Sequence, residues 1–511
     1  MSTIRRNSLA NVAGRLITAG LWIVATPFVL RQLGAERFGI WSLFFAFNGY
    51  LASFDLGIGN TLLRFIAAQR PSDDRGALLR TISRGLRGAV GLGLVWALAI
   101  ELSRGWIATL FHVPPAMTPE ALDALRVFGI GVLLLFPTQA LTASLQGFER
   151  IDLANICTSI GIICHVSGIF VALSTGAGLR GVALAGVIGQ CVTMALAILM
   201  IQAQLRRVSP GNGAGAHWRE MLGFSAALQM VWILIMLQIQ SPRTVLGILG
   251  NLTLVADYEL AFRVAATITS IPILIRDPVI PVVSRIWHHG GREEVAALFT
   301  STSRWVFFYS ALVLGVLWLT ASDVARLWLG PGHERIAELM RWWVLAYAAS
   351  LAYAPGVAIA RGMGTIRFEI MSYAAALATN LGLAILWIPK LGTSGAVMAV
   401  AVSYAVGFVV FVLPFHRFVS PVALTTWLGR DLLPRAAAGV AAVAATIGAL
   451  TWVPGIRTLD PGLTHAIVAC AIFGVVFLLA FSLTGDVQRL VRGALKPRPS
   501  LGPLSGEIPS S

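Results

Sequence analysis

Charge is what this sequence has least of. Asp, Glu, Lys and Arg make up 12% of its 511 residues, where a soluble domain carries about 25%. Apolar residues reach 57%, more than a water-soluble fold of this length can bury. Hydrophilic stretches long enough for a separate soluble domain are also missing. The solvent for most of the chain is therefore lipid, and the expected fold class is an all-α membrane protein.

Other absences narrow the function. There is no Walker A loop, no Gly-rich dinucleotide fingerprint and no Cys/His cluster at metal-ligand spacing, so we expect no enzyme, no metal and no cofactor. The four cysteines, Cys157, Cys164, Cys191 and Cys470, lie in apolar segments without a CxxC pair and read as small hydrophobes. His288 and His289 fall in a basic loop and read as solvated. The net charge of +15 does not indicate nucleic acid, because Lys and Arg collect in alternate loops, the pattern of cytoplasmic loops in membrane proteins.

Apolar runs of about 20 residues, the length of a span, recur near 10–33, 38–60, 86–103, 122–145, 153–175, 180–203 and 221–240. They continue near 245–270, 305–322, 342–360, 368–388, 394–415, 435–453 and 464–484. About fourteen transmembrane helices follow. The first run holds Arg15 and lacks a small-residue cleavage site, so it reads as a span rather than a signal peptide. The loop charges place both termini in the cytoplasm.

The chain repeats itself at an offset of about 215 residues. Leu33-Gly34 recurs as Leu249-Gly250, Ile107 to Phe111 as Val324 to Trp328, Gln146-Gly147 as Arg361-Gly362, and Gly178 to Ala185 as Gly392 to Ala399. The unit holds six spans, so both copies share one orientation. The expected organisation is a six-helix lobe at 1–210, a second at 211–420, two additional helices at 421–486, and a Pro/Gly/Ser-rich disordered tail at 487–511. Paired lobes of this kind place a substrate path between them and alternate access by rocking; a duplicated scaffold without transport is the bland alternative.

Polar residues inside spans are costly and mark the path. Asn11, Arg15, Thr18 and Trp22 share one face of span 1, and Ser225, Gln229, Trp232 and Met236 share the equivalent face of span 7. Asn11 and Arg15 could instead lie in the headgroup zone. Span 2 carries Asn48 and Asp55 and runs on to Arg64; Asp55 is a cation site, a partner for a buried Arg, or an interfacial cap. Glu259 and Arg263 are an i, i+4 pair in span 8, either facing the path or tying helices together. Arg126 and Arg243 fall at outer span ends. The expected substrate site is therefore Asn11, Arg15, Asp55, Arg64, Gln229, Glu259 and Arg263. Its arginines outnumber its acids, which suits an anionic ligand. Trp22, Trp41 and Trp232 could stack on sugar faces, though packing is the favoured reading for most of the tryptophans.

Two stretches resemble a known family. Leu33-Gly-Ala-Glu-Arg-Phe-Gly-Ile-Trp41 continuing to Asp55-Leu-Gly-Ile-Gly-Asn60 and Arg64, with Ala256-Asp-Tyr258 to Arg263 and Pro281 to Arg285, is similar to the polysaccharide exporter and oligosaccharidyl-lipid flippase families of the multidrug/oligosaccharidyl-lipid/polysaccharide exporter superfamily. The likeness covers about residues 8–415. It implies a flippase of the bacterial inner membrane that moves an undecaprenyl-diphosphate-linked oligosaccharide for O-antigen, capsule or exopolysaccharide synthesis. It further implies a cationic cavity using Arg15, Asp55, Arg64 and Arg263. Its partners would be the lipid-linked oligosaccharide, membrane lipids, and a polysaccharide polymerase and glycosyltransferases. Drive would come from a coupling ion, H+ or Na+, from the membrane potential, or from downstream consumption. The rivals are a cation-coupled multidrug exporter of the same fold, which calls for a carboxylate-rich cleft, and a non-transporting scaffold of a polysaccharide assembly complex.

Overall fold

The computed structural model describes residues 2–213, 226–276, 278–288, 291–453 and 461–485, with side chains throughout except at 2–13, 15–17, 226–228, 274 and 275. The expected tail at 487–511 lies outside the described residues, as does Ser225. Every described element is helical. Among the described residues, ten helices are long and apolar enough to cross a membrane, and three further facts bring the number of crossings there to fourteen. Arg367–Phe418 is two helices folded at Gly392, and Ser2–Ser53 is two folded at Gly34. Leu252–Arg276 carries Asp257, Glu259 and Arg263 in its apolar stretch, so hydropathy alone passes over it.

The spans in order are 2–33 and 35–53 (spans 1 and 2), Arg75–Leu110, Thr118–Gly147, Ile151–Ser174 and Gly178–Leu205 (3 to 6). Ala226–Leu249, Leu252–Arg276, Arg292–Leu329 and Glu334–Gly362 are spans 7 to 10; 367–391 and 393–418 are 11 and 12. Leu433–Trp452 and Leu463–Ser482 are 13 and 14. The face at which the chain begins is called proximal here, and the other distal.

The boundaries follow local chemistry. Gly34 at φ 74° and Gly392 at φ 57° turn the chain within a residue, a conformation that costs a Cβ-bearing residue about 1 kcal/mol or more. Gly178, the repeat partner of Gly392, has φ 55°, so the sequence repeat is also a backbone repeat. Span 2 ends at Ser53 rather than near 60. Leu56 and Gly57 both take positive φ there, and the chain restarts as the amphipathic helix Ile58–Gln69. Span 7 runs on to Leu249 instead of stopping near 240, carrying Arg243 inside. A cation is tolerated at that depth because it is neutralised.

Spans 1 to 6 and 7 to 12 form two lobes, and three apolar cores show how they meet. One core joins Val29, Leu33, Phe38 and Trp41 of the first lobe to Leu246, Leu252, Val255 and Ala261 of the second, towards the distal ends. The other two lie proximally, and each stays within one half: Leu62, Ile66 and Leu145 among others in the first, Phe299, Phe411 and Phe415 in the second. The apolar cores therefore join the lobes distally and stay separate proximally, where spans 2 and 7 still touch through Ser53 and Gln229. Spans 13 and 14 pack on span 9, through Phe308 against Phe477 and Phe481. Leu102 on span 3 is 87% exposed and Leu98 60%; such surfaces face lipid. Cys157 alone of the four cysteines is buried, while Cys191 and Cys470 lie on that outer surface, apolar surroundings of a different kind from the expected core.

Candidate functional site

Spans 1, 2, 7 and 8 meet along the line between the lobes. Glu259 in span 8 sits between two guanidiniums. Arg243 Nε donates to its Oε2 at 2.6 Å, and Arg263 Nη2 and Nε donate to its Oε1 at 2.7 and 3.2 Å. The side chains of Glu259 and Arg243 are 4% exposed and that of Arg263 9%. One turn separates Glu259 from Arg263, and the tight turn at Gly250 brings Arg243 back alongside, which is why three charges from two helices converge. The balance is one positive charge in excess.

Arg263 also reaches across the lobe boundary. Its Nη1 donates to Thr26 Oγ1 of span 1 at 2.7 Å, and its Cζ lies 5.5, 5.3 and 5.3 Å from the rings of Trp22, Trp41 and Phe45. Cations are drawn to aromatic faces at such distances. Arg243 is held within its own lobe, over Phe262 at 4.4 Å and against the Gln240 carboxamide. Three further bonds tie the lobes. Trp328 Nε1 donates to Ile23 O at 2.8 Å, the Tyr50 and Thr244 hydroxyls share a hydrogen bond at 3.0 Å, and the Gln229 carboxamide donates to Ser53 O.

Arg263 and Glu259 form part of the wall of a cavity of about 480 Å3 between the lobes, with Thr18 and Trp22 of span 1, Asn155 and Ser159 of span 5, and Thr267 and Ser270 of span 8. The Asn155 amide nitrogen is buried without a protein partner. Such a cavity can hold an anion: the Arg263 guanidinium offers planar, paired donors, and the neighbouring amide and hydroxyls can complete the shell.

Of the residues expected from sequence, the structure brings Glu259 and Arg263 into this cavity. Gln229 stands at the lobe boundary but bonds to Ser53. Asp55 lies in the turn after span 2 instead, where its carboxylate accepts from the amides of Gly57 at 2.9 Å and Gly59 at 3.2 Å and so caps the following helix. Arg64 is exposed on that helix, 5.9 Å from the Phe65 ring. The side chains of Asn11 and Arg15 lie outside the described residues; Gly14 and Thr18 of the same span line the cavity. Arg126 reaches Glu101 at 3.4 Å, away from the cleft, and Trp232 is 44% exposed on the outer surface. Arg243 is the residue that the sequence places at the outer end of a span and the structure places within one. The signal that finds it is a lone Arg in an apolar helix 16 residues before a Glu, across a hairpin.

A second cavity, of about 320 Å3, lies inside the first lobe and shares Trp22, Phe45 and Thr158 with the first. Trp41, Phe44 and Phe128 supply aromatic surface to it, and Asn48, Gln139 and Gln190 supply carboxamides. Among the described residues, no group of His, Cys, Asp and Glu is placed to hold a metal ion.

A family model described as "Polysaccharide biosynthesis protein" matches residues 4–287. A Shigella flexneri protein described as "Putative O-antigen transporter" is 22% identical over 409 residues, 78% of this chain and 94% of that one. Among solved structures, that titled "Lipid II flippase MurJ, inward closed conformation" superposes with a TM-score of 0.70 at 11% identity, covering 95% of this chain and 99% of its own. An inward-facing multidrug resistance MATE family transporter of the MOP superfamily gives 0.66 at 16% identity, over 80% and 97%. At these identities the structures speak for the fold, which is the two-lobed one described above.

Proposed function

This multi-pass membrane protein belongs to the polysaccharide biosynthesis protein family, and from that premise we propose that it flips an undecaprenyl-diphosphate-linked oligosaccharide across the bacterial inner membrane by alternating access. The observation that carries the reading is the Arg263-lined cavity at the boundary of two lobes whose apolar cores join distally and stay separate proximally. A diphosphate is an anion suited to Arg263 and Arg243, and Glu259 holds both in place until it arrives. An arriving diphosphate competes with Glu259 for the same donors and weakens the bonds by which Arg263 holds Thr26 and the aromatic rings of the other lobe. Binding is thereby linked to lobe separation on the distal side.

In this reading the proximal face is cytoplasmic, and the basic residues of the loops on that side support it. The O-antigen wording of the Shigella relative supports a glycan cargo. A drug exporter driven by cation exchange needs a carboxylate free to take up its cation, whereas Glu259 is held by two arginines.

Deleting the gene tests this. Loss of surface polysaccharide, with a lipid-linked intermediate accumulating in the cytoplasmic leaflet, is the expected result. Normal polysaccharide with no such accumulation, in a host without a second flippase, refutes it.

A further inference from the structure

The cavity inside the first lobe has a chemistry unlike the cleft beside it. Among the residues lining it there is no Asp, Glu, Lys or Arg. Its polarity comes from the carboxamides of Asn48 on span 2, Gln139 on span 4 and Gln190 on span 6, from threonines such as Thr142 and Thr158, and from the His165 imidazole on span 5. None of the three carboxamides makes a hydrogen bond within the protein. Three amides from three helices therefore line the cavity with their hydrogen-bonding groups open to a ligand. Each offers two donors and an acceptor, so the demand is for a ligand that both gives and takes hydrogen bonds and bears no charge.

The remaining wall is aromatic. Trp22 and Trp41 lie 5.8 Å apart, Trp41 and Phe45 4.9 Å, and Phe44 stacks on Phe128 at 5.0 Å. The electron-rich ring faces suit a surface of weakly positive C–H bonds. Hydroxyls around the rim and C–H bonds on the face describe a sugar ring. The volume of about 320 Å3 stands at the small end of the roughly 300–1,000 Å3 of ligand pockets, room for one part of a glycan and not the whole of it.

We propose that this cavity is a saccharide subsite, taking the sugar that lies next to the anionic group held at Arg263, with Asn48, Gln139 and Gln190 reading its hydroxyls. Its connection to the cleft supplies the position. Trp22 and Phe45 line both cavities, and the Arg263 guanidinium lies 5.5 and 5.3 Å from those two rings. An anion on Arg263 and a sugar in the lobe cavity therefore share one wall, as neighbouring parts of one molecule would. The subsite deepens the flippase reading and rests on it. It also assigns the two lobes different work: the second carries the charge and the first reads the sugar.

The test uses the full-length protein in nanodiscs and two probes, farnesyl diphosphate and its N-acetylglucosaminyl ester, with dissociation constants measured by equilibrium binding. The wild type is expected to bind the sugar-bearing probe about tenfold more tightly than the bare diphosphate, the worth of one or two hydrogen bonds. Gln139→Ala combined with Gln190→Ala is expected to abolish that advantage and to leave the affinity for farnesyl diphosphate within about twofold, which also reports an intact fold. Asn48→Ala provides a second variant on a different span. Retention of the tenfold advantage in these variants, or its absence in the wild type, overturns the saccharide subsite and leaves the flippase reading in place. Failure of the wild type to bind either probe overturns both.

Discussion

Replacing Glu259 by Gln is the most informative single change in this molecule. The substitution keeps shape and removes one charge, leaving Arg243 and Arg263 as two cations with side chains 4% and 9% exposed. Removing one partner of a buried ion pair costs about 3–5 kcal/mol, chiefly because the survivor is left uncompensated. Here two survivors also face each other, so about 3–5 kcal/mol is a lower bound for Glu259→Gln. Arg243→Met is the comparison. It leaves Glu259 with both its bonds to Arg263 at 2.7 and 3.2 Å, a balanced pair, and should cost about 1–3 kcal/mol, the scale of a lost charged hydrogen bond. Unfolding midpoints in detergent micelles, with denaturant titration for the free energies, give the ranking directly. The expected order is wild type, then Arg243→Met, then Glu259→Gln. If Glu259→Gln lies within about 1 kcal/mol of the wild type, or Arg243→Met is the worse of the two, then the carboxylate does not organise the cluster and the account of the site is wrong.

Three further outcomes are expected. A Cβ at Gly39 would overlap the Leu252 carbonyl oxygen across the lobe boundary, so Gly39→Leu should hold the distal side apart. In a background lacking the native cysteines, labelling of Ser42→Cys by an impermeant maleimide should then rise from near zero. Asp323, fully buried, accepts from Gly462 N at 2.8 Å and faces His465 Nδ1 at 2.9 Å. Asp323→Ala should cost about 3 kcal/mol for two hydrogen bonds to a charged group and should speed proteolysis just before Leu463. Asp74 lies outside the spans, and amide donors, that of Ala77 foremost and Gly213 after it, hold its carboxyl below the usual 3.8. The stabilisation this gives is complete above 3.8 and disappears as pH falls through the lowered native value. The protection factors of the Ala77 and Gly213 amides, referred to the intrinsic exchange rate at each pH, should therefore fall on acidification from roughly pH 5 to pH 3, and Asp74→Asn should remove most of that dependence.

Much of the architecture was written in hydropathy and in the repeat, because lipid imposes a length on every span and duplication preserves order. The turns at Gly34 and Gly392 were legible as glycines between apolar runs, although the runs alone could not show that one residue suffices. Arg243 shows where linear reading fails. An arginine is expelled from an expected span by its own cost, and the glutamate that offsets the cost stands on the next helix. Asp55 takes the interfacial-cap role among the readings open to it, and not the site role. It lies in an apolar stretch, yet the amides of Gly57 and Gly59 take its carboxylate because the helix has already ended. The carboxamide cavity was least legible of all, since its walls come from spans 1, 2, 4, 5 and 6, and only packing reveals that Asn48, Gln139 and Gln190 face one another.

The attachment of spans 13 and 14 has a consequence for how motion can be observed. Span 9 grips this hairpin at both ends: distally through Asp323 with Gly462 and His465, and proximally through Arg304 Nε on Asp431 at 2.7 Å and the Trp427 indole on Ser303 at 3.1 Å. Held at two points about 30 Å of helix apart at 1.5 Å per residue, the hairpin cannot pivot on its own. It travels as a passenger of the second lobe. A fluorophore on its lipid-facing side, paired with one on span 3, would record each rocking of the lobes as a change in distance while leaving the path between them untouched.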